Sequence, residues 1–235
     1  MRLNYSLYEV KGKNSLTNRS RTKVFEARIV EDVLKDAISE GFSNDITITL
    51  LPFAPPTQKQ LLYAKELNID IPEGTCIHDV SELIRNKVEG DSTPNTGLLT
   101  YAHDKGINFS CFIGKKSLYD LVFHKLEGID KISFFIFCIY RYLSEDREGN
   151  LNASKHKIVI NEYANSKIND KKFINSLEKY SGRDLRYFGK IRVDNDDSST
   201  YIWGGSTTTH AYKETVNFLH DTFGINKTKT KTIKT

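Results

Sequence analysis

Alternating apolar and polar residues dominate the first fifty positions of the chain. Three segments place apolar side chains at about every second position, and they cover residues 3–10, 24–30 and 45–51. A side-chain period of two is typical of β-strands. Residues 31–39 instead repeat their apolar positions at helical spacing, and Gly41 follows as a helix-terminating residue. The pattern predicts a ββαβ unit over residues 1–52, with a long basic connection between the first two strands.

A short module with a different pattern follows this unit. Pro52, Pro55 and Pro56 break regular structure, so we expect a boundary there. Thr57 is a good N-cap for a first helix, an extended loop follows, and apolar residues at helical spacing indicate a second helix. The sequence therefore predicts a helix-loop-helix module over residues 56–89.

Helical spacing dominates the rest of the chain, which predicts a mainly helical domain over residues 96–225. Within it, segments 186–193 and 200–203 indicate one β-hairpin closed by an acidic turn. We expect Thr209 either to cap the last helix or, with Gly204 and Gly205, to hold an anion. Residues 226–235 form a basic tail. The expected fold class is α+β.

Positive charge is concentrated locally, since the 235-residue chain carries a formal net charge of only +4. Five cations lie in and around the hairpin connection of the first unit, and they are Lys11, Lys13, Arg19, Arg21 and Lys23. Side chains of this kind bind nucleic-acid phosphates without reading the base sequence. The sequence thus predicts a phosphate-binding surface on the hairpin, although solvated strands also carry such charges.

The helix-loop-helix module at about 57–88 resembles the SAP family. The residues that carry the likeness are Leu61, Leu67, Ile69, Pro72, Gly74, Leu83 and Ile84. SAP modules commonly bind DNA, so the resemblance implies that this segment contacts phosphates. The implied contact residues are Lys59, Lys65, Arg85 and Lys87. The alternative is that the two helices only cover a core.

These features favour a non-catalytic nucleic-acid-binding accessory protein. A second hypothesis is a protein-interaction or inhibitor module that binds a partner through aromatic residues such as Tyr187, Tyr201 and Trp203. A third is a metal-dependent nuclease, with carboxylates and histidines from distant segments. An exposed aromatic patch favours the partner, an acidic cleft favours the nuclease, and a continuous basic face from Lys11 to Lys87 favours nucleic acid. No pattern indicates a cofactor, a metal site or a catalytic residue.

The three cysteines are far apart and lie among apolar residues, which is typical of thiols in a reducing compartment. The longest apolar run, residues 132–140, is too short to span a bilayer and is bounded by Lys131 and Arg141, so we expect it to be a buried helix at the centre of the helical domain. We therefore expect a cytoplasmic protein with no membrane contact.

Overall fold

The computed structural model describes residues 3–146, 149–195, 198–226 and 232–234, and it confirms the α+β class. Contacts divide the chain into two compact units. The first contains the chain up to Thr93 together with Lys105–Gly114, and the second contains Pro94–Asp104 together with the chain from Lys115. The regions 1–52 and 56–89 both lie in the first unit.

In its described residues, the first unit contains three strands and three helices. They are β1 (Ser6–Asn14), β2 (Ser20–Ala27), α1 (Val30–Ser39), β3 (Phe42–Leu51), α2 (Gln58–Glu66) and α3 (Ile77–Glu89). The sheet is antiparallel with the strand order β2-β1-β3. Helix α1 covers one face, because Val33 and Ala37 pack on Val10, Phe25 and Phe42. This is the predicted ββαβ arrangement.

Helices α2 and α3 pack side by side. Thr57 caps α2 as predicted, because its hydroxyl accepts a hydrogen bond from the Gln60 amide while the Gln60 side chain accepts one from the Thr57 amide. The Gln60 side-chain amide also donates to the Ile77 carbonyl and to the Ser81 hydroxyl. Gln60 therefore takes part in the N-terminal cap of α2 and also links α2 to α3.

Segment 105–114 belongs to the first unit, whereas the sequence pattern had included it in the C-terminal helical domain. The Asn4 side chain donates to the Ile107 carbonyl and accepts from the Phe109 amide. Leu3 and Ser110 form an antiparallel bridge beside these bonds. These backbone contacts join residues about a hundred positions apart, which no local pattern reveals.

The second unit is mainly helical. Its elements are α4 (Thr96–Asp104), α5 (Lys115–Lys125), α6 (Gly128–Ser144), α7 (Lys157–Lys167), α8 (Lys171–Leu177), β4 (Lys190–Asn195), β5 (Ser198–Trp203), α9 (His210–Phe223) and β6 (Thr232–Lys234). Strands β4 and β5 form the predicted hairpin, displaced by a few residues. Strand β6 pairs in parallel with β4, so part of the predicted basic tail is a strand. Lys227, Lys229 and Lys231 lie outside the described residues.

Helix α6 forms the centre of the second unit. Residues Ile132–Ile139 are all buried, so neighbouring elements surround the helix on every side. Phe135 is fully buried, and its ring contacts those of Phe173, Tyr180 and Phe188. The aromatic cluster joins α6 and α8 to the segment that leads into the hairpin.

We expect the stability of this core to depend on pH in the alkaline range because of Tyr180. Its hydroxyl donates to the Ser206 carbonyl and contacts the Thr209 hydroxyl, and burial raises the pKa of Tyr180 to about 12. In the unfolded chain this phenol ionises near pH 10, so stability that is present below pH 10 is lost as pH rises towards 12. For this residue the loss amounts to roughly 1 to 2 kcal/mol once solvent screening is allowed for.

Urea unfolding at several pH values between 9 and about 11.5 tests this expectation. The Tyr180→Phe variant cannot ionise at this position, so its free energy of unfolding should fall less steeply with pH than that of the wild type. Parallel slopes for the two proteins would contradict the assignment. A lower stability of the variant at pH 9 is expected from the lost hydrogen bond and does not bear on the slope.

In the described part of the chain, no helix combines the length and the apolar character that crossing a membrane requires.

Candidate binding surfaces

The five hairpin cations do not form one patch. Directly paired residues of an antiparallel sheet point to the same face. Lys23 pairs with Val10, and Arg21 pairs with Gly12, so both lie on the face that α1 covers. Lys11 and Lys13 alternate with those positions and therefore lie on the opposite face, where both are exposed. Arg19 lies in the connection, which is shorter than the sequence suggested because β1 and β2 extend to Asn14 and Ser20.

Three of these cations also have carboxylate partners. The Lys23 amino group lies 2.6 Å from a Glu40 carboxylate oxygen, and the Arg21 guanidinium lies 3.7 Å from the same oxygen and donates to the Glu40 carbonyl. The Lys11 amino group lies 2.6 Å from the Glu9 carboxylate. Such pairs reduce the positive potential that a phosphate would meet. Among the described residues, Lys13 and Arg19 are exposed and have no ion pair.

In the helix-loop-helix module, the four cations implied by the SAP resemblance also differ in whether they have a carboxylate partner. Lys59, Lys65 and Lys87 are exposed, whereas the Arg85 guanidinium lies 2.8 Å from the Glu82 carboxylate. Burial raises the pKa of Glu82 although Arg85 opposes this shift. The basic residues from Lys11 to Lys87 are thus interrupted by carboxylates and do not form a continuous basic face.

A different surface brings aromatic rings and cations together in the second unit. In the β4–β5 hairpin, Lys190 pairs with Trp203 and Arg192 pairs with Tyr201. Paired positions share one face of the sheet, so these four side chains lie together, and we call them the aromatic-cation face. Ile191, between the two cations on β4, is buried on the opposite face. Alternation along the hairpin therefore separates a core side from a solvent side.

The two rings of this face are open to solvent. Trp203 is 75% exposed and Tyr201 is 55% exposed, although large aromatic side chains are usually buried. The Lys190 amino group lies 4.0 Å from the centre of the Tyr201 ring and 5.6 Å from that of Trp203. Both distances are in the range of cation–π attraction. The lysine thus holds a positive charge against two exposed ring faces.

Tyr187 lies beside this surface but is not part of it. Its ring is half-buried, with the Arg186 guanidinium 5.6 Å from the ring centre. Its carbonyl accepts a hydrogen bond from the Gly205 amide at 2.8 Å, which ties the segment before β4 to the end of β5. Of the three aromatic residues predicted to bind a partner, the fold therefore places Tyr201 and Trp203 side by side. Tyr187 stabilises the hairpin base.

A polar cavity of about 790 Å³ lies at the start of α9 in the second unit, and its lining includes Lys172, Lys179 and His210. The helix amides there already have protein partners. The Thr209 hydroxyl accepts from the Tyr212 amide, and the Ser176 hydroxyl accepts from the Ala211 amide. Thr209 therefore caps the helix, which is the first of the two roles expected from the sequence.

Within the described residues there is no cluster of three or more histidine, cysteine, aspartate or glutamate side chains that could hold a metal ion. Comparisons with known protein families, with curated proteins and with solved structures found no match to this chain.

Proposed function

We propose that this protein is a non-catalytic nucleic-acid-binding accessory protein that binds single strands through its aromatic-cation face. The observation that supports this proposal is the pair of exposed rings, Trp203 and Tyr201, with the Lys190 amino group against both. Proteins that bind single strands combine aromatic rings, on which bases stack, with cations that follow the phosphate backbone. The face has both components on one hairpin.

Stacking explains why a single strand is the proposed ligand. The bases of a duplex are already stacked on each other, so a flat protein ring has access only to unpaired bases. Each base that stacks on an aromatic side chain contributes about 1 to 3 kcal/mol, with little dependence on its identity. Lys190 and Arg192 lie in the same face and supply charge for the backbone.

The first unit has a secondary role in this proposal. Lys13, Arg19, Lys59, Lys65 and Lys87 are exposed and would add phosphate contacts along a longer strand. Such contacts strengthen binding without selecting a sequence. Lys11, Arg21, Lys23 and Arg85 are engaged by carboxylates, so we expect them to contribute less.

Trp203 provides a direct test because it is the only tryptophan of the chain. An oligonucleotide that stacks on this ring should quench the intrinsic fluorescence. In fluorescence anisotropy with a labelled single strand, Tyr201→Ala and Trp203→Ala should each weaken binding by about 5- to 100-fold. Lys190→Ala should weaken binding and reduce the slope of log affinity against log salt by about one.

Two matched variants control for general effects. Tyr63→Ala removes an exposed tyrosine from the first unit, and Lys213→Ala removes an exposed lysine from α9. Neither should change the affinity by more than about twofold. An affinity for single strands that is unchanged in Trp203→Ala, or a wild type that does not bind at moderate salt, would contradict the proposal.

A protein partner is the second candidate. The exposed aromatic pair Trp203 and Tyr201 favours it by the criterion drawn from the sequence, and the first unit lacks the continuous basic face that would have favoured nucleic acid. The Lys190 amino group beside both rings is the reason that nucleic acid remains the first candidate. Tryptophan, tyrosine and arginine are the residues most enriched at the energetic centres of protein interfaces, and this face contains all three types. The fluorescence titration separates the two candidates. Only a surface that binds nucleic acid should show quenching by an oligonucleotide that weakens as the salt concentration rises.

A further inference from the structure

The two outer strands of the first unit's sheet differ in charge. Strand β2 carries Arg21, Lys23 and Glu26, whereas residues 46–51 of β3 (ITITLL) contain no charged residue. Charged residues on an outer strand hinder pairing with another chain, and their absence permits it. In the described part of the chain, β3 pairs with β1 alone, so its other edge is open.

An apolar stripe on α1 lies beside this open edge. Val30, Leu34 and Ile38 follow one another at four-residue spacing and are each between 40% and 45% exposed. They flank the buried residues Val33 and Ala37 on one side of the helix. Four-residue spacing makes the stripe continuous along the helix.

The position of Glu40 shows towards which strand this stripe points. Asp36 and Glu40 lie on the opposite flank of α1, and Glu40 binds Arg21 and Lys23 of β2. The flank with Val30, Leu34 and Ile38 therefore points towards β3. Leu50 of β3 is 63% exposed and pairs with Tyr8, which packs against the α1-covered core. Helix flank and strand edge thus form one exposed apolar surface.

We propose that this surface binds a second copy of the chain, with the two β3 strands paired in antiparallel orientation. A two-fold axis perpendicular to the sheet keeps both α1 helices on the same side. It brings the Val30–Leu34–Ile38 stripes of the two copies towards each other, above Ile46, Ile48 and Leu50 of both strands. A strand that is added at this edge must place an apolar side chain at every second position on the α1 side. Strand β3 itself has this pattern.

Charge and area both agree with a symmetric pair. The one charged residue of β3 is Asp45, and in an antiparallel pair centred within residues 46–51 it faces an uncharged residue of the copy, so no like charges are directly opposed. Pairing β2 with its copy would instead place Arg21 and Lys23 close to their equivalents. The ten residues of β3, Asp45 included, extend for about 30 Å, and a sheet with one helix layer is roughly 20 Å thick. The interface then buries on the order of 600 Å² per copy, which reaches the lower limit for specific dimers.

Sedimentation velocity over a wide concentration range tests this proposal. The wild type should dimerise, and the double variant Leu34→Lys, Leu50→Lys should weaken the dimer at least about 100-fold, because it places four like charges in the interface. Val24→Lys is the matched control. Val24 is a 48% exposed apolar residue on the other outer strand, and its substitution should leave the dimer unchanged.

Hydrogen exchange locates the interface independently. In the wild type, amides of β3 should become more protected as the protein concentration rises, while those of β2 should not. The proposal is wrong if the wild type stays monomeric up to about 1 mM, or if the double variant keeps the wild-type circular dichroism spectrum and still dimerises as well as the wild type does. Neither result would affect the proposed binding of single strands, because that proposal depends on the aromatic-cation face of the second unit.

Discussion

Replacing Phe135 with alanine should lower the free energy of unfolding of the second unit by about 3 to 5 kcal/mol. The ring is fully buried in α6 and contacts Phe173, Tyr180 and Phe188. Its removal loses both the transfer free energy of the ring and the contacts that these three aromatic residues make with it. Because α8 holds Phe173 and a hydrogen bond to the Ser206 carbonyl holds Tyr180, we expect the structure to fill only part of the cavity.

Urea unfolding followed by far-ultraviolet circular dichroism measures this change, and hydrogen exchange of the α6 amides assigns it to the second unit. Ile158→Ala is the matched control within the same unit. Ile158 is an exposed residue of α7, so its truncation should cost less than about 1 kcal/mol. Similar losses in the two variants would contradict the central position of Phe135.

Replacing Gly182 with alanine should have an effect of comparable size for a different reason. A β-carbon at this position would lie 2.5 Å from the Tyr119 carbonyl oxygen and 2.8 Å from the Asp120 amide nitrogen. Both atoms belong to the α5 backbone, which cannot move aside as a flexible side chain can. The Gly182 amide also donates to the Asp120 carboxylate at 3.1 Å, so this close approach is part of the packing. We expect a loss of about 3 kcal/mol or more.

Gly224→Ala separates this steric effect from backbone strain. Gly224 ends α9 with a φ of +67°, and no atom lies within 4 Å of a β-carbon built there. Alanine at that position should cost only about 1 to 2 kcal/mol, which is the usual penalty for a left-handed residue. Thermal unfolding of the two variants should therefore show the larger decrease in midpoint for Gly182→Ala.

The sequence predicted elements that have a strong local signal. The ββαβ order, the Thr57 cap and the continuously buried α6 all follow from periodicity and capping chemistry. Helix α7 was not predicted, because it buries only Ile160 and Ala164 and leaves Ile158 exposed. The pairing of Leu3 with Ser110 and of β4 with β6 joins distant segments, and such contacts leave no trace in a local pattern.

The same distinction applies to the binding residues. Tyr201 and Trp203 were identified from their aromatic character, but Lys190 and Arg192 were not, because their role depends on which β5 residue each one faces. Strand alternation applied to the hairpin would have placed them on the same side. In the first unit, counting charges was misleading. Glu40 follows α1 in the sequence but neutralises Arg21 and Lys23 on a strand nearly twenty residues earlier.

The cysteines of this chain differ in accessibility. Cys76 and Cys138 are buried, whereas Cys111 is exposed. A thiol-reactive dye should therefore attach to one position, in the first unit, while the single tryptophan marks the second unit. Energy transfer from Trp203 to such a dye would measure the separation of the two units in solution. It would also show whether a bound single strand changes that separation, without any substitution in the protein.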